Sequence, residues 1–392
     1  MKIKYLFSSP EGDISLGPVE DSVFGGEDLA RPFLITPSEH HPFLTLRDYF
    51  NAIRGFILKD QGKRLVYSLK EKLNKEIDIN SINKILIRSE KHGILYHLAS
   101  VEIFVDDKQV RLAVSTALSE KGKEWITNEY ETLKFLNSSL GLPYLPNVHL
   151  KGEVECDAGN GKHETLSMLL SEWFEDYHEW HLSIDENDGR QKICIWDLQN
   201  GNRCALKEET FEIFRQASKI LTLYYDTEDF NQIYPWHHAA GDFIVRTRES
   251  SIDVRLTTVR EYQSIMDYLS EDTVNPMVAI VYFFLNLTIR MRLDKLDGVG
   301  ETVWAGDFCV NATTEGFFDA IRIMESEGRY HLARPKDLLS LLKSFGKEEI
   351  RGLFHPLYNW YQEGDPAEFQ VIQANLRSHI RFLYHALQDC RL

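Results

Sequence analysis

The chain reads as an α+β protein in which a block of short strands precedes a mostly helical half. Apolar residues recur with period two between residues 84 and 117, the spacing of a half-buried strand; Ala99, Val101, Ile103 and Val105 share one face. Toward the end they recur at helical spacing, as at Ile372, Leu376, Ile380, Leu383 and Leu387. Hydrophobic residues make up 43% of the 392 and aromatics 12%, enough to build a large core and to exclude global disorder.

Taken in order, residues 1–43 are rich in Gly, Pro and acidic residues and read as an extended arm with little regular structure. Two amphipathic patterns follow: Leu46, Tyr49, Phe50, Ile53 and Ile57, then Leu65, Leu69, Leu73 and Ile77. They predict a helical cap. Strands are expected over 84–88, 96–105 and 110–117. A helix over 125–140 stops at Gly141 and Pro143. Strands over 148–155 and 165–174 come next, and Tyr177–His181 is expected in a helix. Asn200-Gly201 marks a hairpin over 193–206. A helix over 207–225 is followed by short strands at 243–246 and 252–256, joined by a turn at 249–251, and the rest reads as helical.

Lys and Arg total 44 against 60 Asp and Glu, a formal charge of −16. That balance argues against nucleic acid or an anionic membrane as the main partner, since both are polyanions. A local cluster of cations can still hold ATP. The most apolar stretch, Met277 to Ile289, contains Asn286 and falls short of the ~20 residues a membrane span needs. Met1 to Pro10 has no signal-peptide pattern. The five cysteines are scattered without a C-x-x-C pair, so a reduced, cytoplasmic compartment is expected.

The residues with chemical potential lie in five places. Glu129 has Leu133 and Leu136 four and seven positions later, all on one helix face. Met168 to Phe174 is an apolar strand carrying Glu172 near its end. Tyr234-Pro235-Trp236-His237-His238-Ala239-Ala240-Gly241-Asp242 runs into the apolar Phe243-Ile244-Val245. Asp253 sits between Ile252 and Val254, eleven positions after Asp242. Arg111 and Ser115 share a face of the Leu112-Ala113-Val114 strand because their separation is even.

In this order, over residues 84 to 292, these motifs resemble those of the aminoglycoside and choline phosphotransferases of the protein-kinase-like superfamily. The resemblance implies a two-lobed kinase-like fold: a small antiparallel-sheet N-lobe at 83–175 and a mostly helical C-lobe at 176–392. Residues 1–82 form an N-terminal extension and helical cap. It implies ATP- and Mg²⁺-dependent phosphoryl (or nucleotidyl) transfer to a small-molecule acceptor. His237 falls at the catalytic-base position and could accept a hydroxyl proton near neutrality. Asp242 and Asp253 would meet at the open end of a hairpin and hold the metal. Arg111 and Glu129 would orient phosphates, and the hinge around Glu172 and Phe174 would face adenine.

The pattern is also degenerate. Ser115 stands where the phosphate-binding lysine belongs, and the loop before Tyr96 holds only Gly93. A catalytically inactive kinase-like protein, binding a nucleotide or a protein partner, is therefore one alternative. A metal-dependent hydrolase built on His237, Asp242 and Asp253 is another, since imidazole with carboxylate suits Zn, Mn or Fe. Arg255 and Arg260 read first as ion-pair partners of nearby carboxylates and second as phosphate contacts. Arg290 and Asp294 read as structural charges at the end of the buried helix.

Overall fold

The structure, a computed structural model, describes residues 1–9, 12–15, 29–36, 39–93, 96–157, 161–185, 188–197, 200–248, 251–269 and 275–392. It divides into two compact units, residues 1–139 with 146–175, and residues 140–145 with 176–392.

The first unit comprises β1 (Lys2–Ser9), β2 (Gly12–Ser15), β3 (Pro32–Thr36), β4 (Glu39–Thr45), α1 (Leu46–Ile57), α2 (Lys63–Leu73), β5 (Ile82–His92), β6 (His97–Val105), β7 (Lys108–Ala117), α3 (Glu120–Leu140), β8 (Val148–Asp157) and β9 (His163–Glu172). Its sheet runs β2-β1-β5-β6-β7-β9-β8. The arm expected over residues 1–43 is largely regular where it is described. β1 lies parallel to β5, with Lys2 opposite Lys84 and Phe7 opposite Ser89. Tyr5 explains why: its ring is fully buried and stacks on Phe50 at 4.8 Å. Residues 16–28, part of the same expectation, lie outside the described residues.

α1 starts where Thr45 and Asp48 cap one another reciprocally. Its stripe of Tyr49, Phe50, Ile53, Phe56 and Ile57 joins Ile85, Ile87, Val101, Ile103, Leu112 and Val114 in one core. The first 82 residues therefore cover an apolar sheet face that would otherwise meet water. α3 buries Ile126, Glu129, Leu133 and Leu136, the face its spacing predicts.

The second unit comprises β10 (His178–Ile184), β11 (Gln191–Trp196), β12 (Arg203–Cys204), α4 (Lys207–Leu223), β13 (Asn231–Ile233), β14 (Phe243–Arg248), β15 (Ser251–Leu256), β16 (Tyr262–Ser264), α5 (Pro276–Arg290), β17 (Leu293–Lys295), β18 (Thr302–Trp304), α6 (Phe308–Ser326), α7 (Pro335–Ser344), α8 (Lys347–Gly364) and α9 (Pro366–Asp389). Its main sheet runs β12-β11-β10-β14-β15. The helix expected at Tyr177–His181 is instead the start of β10, paired with β11 on one side and β14 on the other. Fully buried Trp180 anchors it, T-shaped against Phe214 of α4. α4 approaches α6 closely at Gly316, where a Cβ would fall 2.0 Å from the Arg215 carbonyl. Ser218 donates to the Thr313 carbonyl at 2.7 Å across the same crossing. No helix among the described residues is long and apolar enough to cross a membrane. All five cysteines are free thiols.

Candidate functional site

The segment between α4 and β14 carries His237 and Asp242, two of the residues singled out in the sequence. It is held in place by its own side chains. His237 and His238 point different ways, as neighbours on an extended backbone do. His238 is buried, its ring within 6 Å of those of Trp180, Phe214, Trp236 and Phe243. Burial drops its pKa to about 3, so it stays neutral and inert as a base near pH 7. Gly241 adopts a φ of 70°, and a Cβ there would lie 2.6 Å from the Glu179 carboxyl carbon. Only glycine fits both conditions.

Asp242 closes the loop. It is 1% exposed and accepts the His237 backbone N–H at 2.8 Å. Both its oxygens are taken by the Arg260 guanidinium. Asp253 is equally engaged: Arg255 lies at 2.7 Å, Arg246 at 3.0 Å, and the Tyr177 hydroxyl donates at 2.6 Å. Burial, then the bond to Asp253, pushes the Tyr177 phenol up to about 12.

The expectation that the two aspartates meet at the open end of the hairpin does not hold. Register puts Phe243 opposite Leu256 and Arg246 opposite Asp253. Asp242 and the partner of Asp253 are thus four positions apart on one strand, about 13 Å at roughly 3.3 Å per residue. The residue beside Asp242 is Thr257, whose N–H donates to the Asp242 carbonyl at 2.7 Å. The turn at residues 249–250 lies outside the described residues. Among the described residues no group of three or more His, Cys, Asp or Glu is placed to hold a metal ion. The register separation of Asp242 and Asp253 also keeps them from sharing one ion, as a hydrolase centred on His237, Asp242 and Asp253 would need.

His237 is partly exposed and faces two groups the sequence did not connect with it. Its Nδ1 lies 3.1 Å from Arg290 Nη2 and 3.5 Å from Glu368 Oε1. Arg290 also pairs with Glu368. Burial opposes ionisation of Glu368, but Arg290 and the His237 contact outweigh it and hold its pKa at about 2. The shorter contact is to an arginine, a permanent donor. Nδ1 of His237 thus lies between a permanent donor and a carboxylate acceptor, and Nε2 is the ring nitrogen turned away from both. Asp294 accepts N–H bonds from Leu182 at 2.9 Å and Lys295 at 2.8 Å. Burial lifts its pKa to about 6, with those bonds acting in the opposite direction.

In the first unit, Arg111 pairs across the strands with Glu102, which also meets Arg88 at 3.3 Å. The guanidinium expected to meet phosphate is thus neutralised in place. Glu129 lies inward on α3, 4% exposed. Glu172 ends β9: its backbone N–H donates to the Asn147 carbonyl at 2.8 Å and its carboxylate pairs with Lys72 at 3.4 Å. That N–H is not available to adenine. Phe174 follows the strand, half-buried.

The same unit contains a feature that no motif announced. A cavity of about 390 Å³ is lined by Lys63, Arg64 and Tyr67 of α2, Tyr130 of α3, and His149 and Lys151 of β8. The first turn of α2 has no capping side chain and no acidic residue, so the helix dipole adds to the cations there. Tyr67 is 71% exposed. Lys134 and Lys151 each place Nζ 5.6 Å from the centre of the Tyr130 ring. The His149 side chain is 5% exposed, and its Nε2 has no hydrogen-bond partner. Asp60 and Glu71, both more than half exposed, are the carboxylates nearest to lining residues, at 3.8 Å from Arg64 and 3.9 Å from His149. In sequence, Lys63, Tyr130 and Lys151 are far apart, and only the cap helix docking beside β8 joins them.

No family model matches this chain, and no curated protein aligns with it significantly. The kinase-like resemblance therefore stands on its motifs and on the element order.

Proposed function

We propose that this chain is a kinase-like protein that binds a phosphate-bearing small molecule without transferring phosphate. Support for the kinase-like frame comes from element order. The strands β5 to β9 are arranged β5-β6-β7-β9-β8, with α3 between β7 and β8 in the chain. In the second unit α4, a loop and the β14–β15 hairpin follow one another as the resemblance implies.

The observation that carries the non-catalytic reading is the Arg260–Asp242 clasp. A divalent cation needs free carboxylate oxygens. Arginine remains charged at every ordinary pH and already occupies both. Ser115 replaces the phosphate-binding lysine, and Arg111 is spent on Glu102. Phosphoryl transfer relies on metal and cations far more than on covalent help, so these replacements act together. The cavity among Lys63, Arg64, Tyr67, Tyr130 and Lys151 supports the binding half of the reading. Its cations and tyrosines match a phosphate joined to a planar ring.

Melting of the protein with ATP, with and without Mg²⁺, tests both halves together with an assay of γ-phosphate release. ATP alone is expected to raise the melting temperature, Mg²⁺ to add nothing, and no phosphate to appear. The shift should vanish in Lys63→Glu/Lys151→Glu. Metal-dependent phosphate release that is lost in Asp242→Asn would reverse the conclusion. A second reading, phosphoryl transfer with His237 as base, is favoured by the 3.5 Å contact of its Nδ1 with Glu368; the phosphoryl group would end on an acceptor hydroxyl, so ADP formation lost in His237→Gln is its signature.

A further inference from the structure

Two of the five free thiols face each other across a strand pair at the edge of the second unit's sheet. Cys194 of β11 and Cys204 of β12 are register partners in an antiparallel ladder. The hydrogen-bond pattern says which kind. The Ala205 N–H donates to the Ile193 carbonyl at 2.8 Å, which makes Ile193 and Ala205 a hydrogen-bonded pair. Such pairs alternate along an antiparallel ladder, so Cys194 and Cys204 form a non-hydrogen-bonded pair. Their side chains leave the same face, with Cα atoms about 4.5 Å apart. A disulfide spans Cα separations of about 4.4–6.8 Å. Cys204 is exposed and Cys194 partly buried.

We propose that Cys194 and Cys204 form a reversible disulfide under oxidising conditions, an oxidative modification site that fastens the edge strand β12 to β11. This proposal does not rest on the kinase-like reading. A peroxide is the oxidant. The exposed Cys204 thiol attacks it and becomes a sulfenic acid with release of water. The Cys194 sulfur then attacks that sulfenic sulfur; a second water leaves, taking the Cys194 proton, and the S–S bond forms. Each cysteine loses one electron, and the peroxide gains two. A dithiol reductant reverses the change. Cys204 is exposed and meets the peroxide first, and the partly buried Cys194 is its neighbour across the ladder.

Fastening β12 has a mechanical consequence. The strand leads within three residues into α4, and Arg203 already binds Glu209 of that helix through both terminal nitrogens at 2.8 Å. It also reaches Thr247 of β14 at 3.0 Å. Oxidation therefore ties the start of α4, the helix that feeds the His237 loop, to the central sheet. The other three cysteines have no comparable partner among the described residues: Cys156 and Cys309 are buried, and Cys390 follows α9 near the chain end.

The test is a thiol count on the full chain, denatured after treatment with hydrogen peroxide and after treatment with dithiothreitol. The reduced protein has five thiols. Peroxide treatment is expected to leave about three, with peptide mapping linking Cys194 to Cys204. Cys194→Ser and Cys204→Ser should each prevent the link. Persistence of all the thiols, a link to any other cysteine, or a Cys204-linked dimer on a non-reducing gel overturns the proposal.

Discussion

The His237 loop and the Lys63 cavity are both rich in charge, and they use it in opposite ways. Asp242 in the loop is answered by Arg260, Asp253 of β15 by Arg246 and Arg255, and Glu368 of α9 by Arg290. Asp242 and Arg290 are almost wholly buried. In the cavity Lys63, Arg64 and Tyr67 are exposed, and no ion pair with a buried carboxylate takes up their charge among the described residues. Residue types associated with catalysis thus mark architecture in one region. In the other, Lys63 and Arg64 stay exposed to solvent. Whether a charge is already satisfied decides what it can do, and residue identity does not reveal that.

The strongest way to break this comparison is to open the clasp. Removing one partner of a buried ion pair costs about 3–5 kcal/mol, because the other charge is left stranded. Arg260→Met should therefore lower unfolding stability by about that much in urea. Loss below roughly 1 kcal/mol would mean that Asp242 is free to recruit another cation.

The next effect follows pH. The Glu368 pKa is depressed to about 2 from an ordinary 4.5. The stability it contributes is fully present above about pH 5 and is lost as pH falls toward 2. At most roughly 3 kcal/mol is involved, and Glu368→Gln should flatten that part of the curve. Asp294 acts oppositely. Its pKa is raised to about 6, so it favours the folded state below its unfolded value and costs stability as pH rises from about 4 to 6. Asp294→Asn should remove that decline.

Smaller still, Gly241→Ala forces a side chain into a left-handed backbone against Glu179 and should cost roughly 1–3 kcal/mol by chemical denaturation. At the bottom of the scale, Tyr67→Ala sits in the open cavity and should leave stability within about 0.5 kcal/mol. Its effect belongs to ligand binding, where loss of one stacking surface should weaken AMP about fivefold or more in calorimetry.

Local order was legible in the sequence because it depends on local spacing. The alternation of Ala99 to Val105 and the inward face of Glu129, Leu133 and Leu136 both reappear in the structure. Long-range partners were not. β1 pairs with a strand some eighty residues away, and nothing in Lys2 to Ser9 announces a parallel neighbour. Tyr177 to His181 has too few apolar residues to show a period, and its flanking strands decide its conformation. Glu368 reaches His237 from the far end of the chain. The hairpin register is a different case. A ladder that pairs Arg248 with Ser251 cannot place Asp242 opposite Asp253, and the turn expected at 249–251 already implied as much. The separation of the two aspartates was therefore readable, and the family pattern obscured it.

The most direct test of the closed loop is electron paramagnetic resonance of Mn²⁺ titrated into the protein without nucleotide. If Arg260 fills the site, the spectrum should remain that of free Mn²⁺, and Arg260→Met should be the variant that begins to bind the ion. Protein-bound Mn²⁺ in the unaltered chain, lost on Asp242→Asn, would contradict the claim.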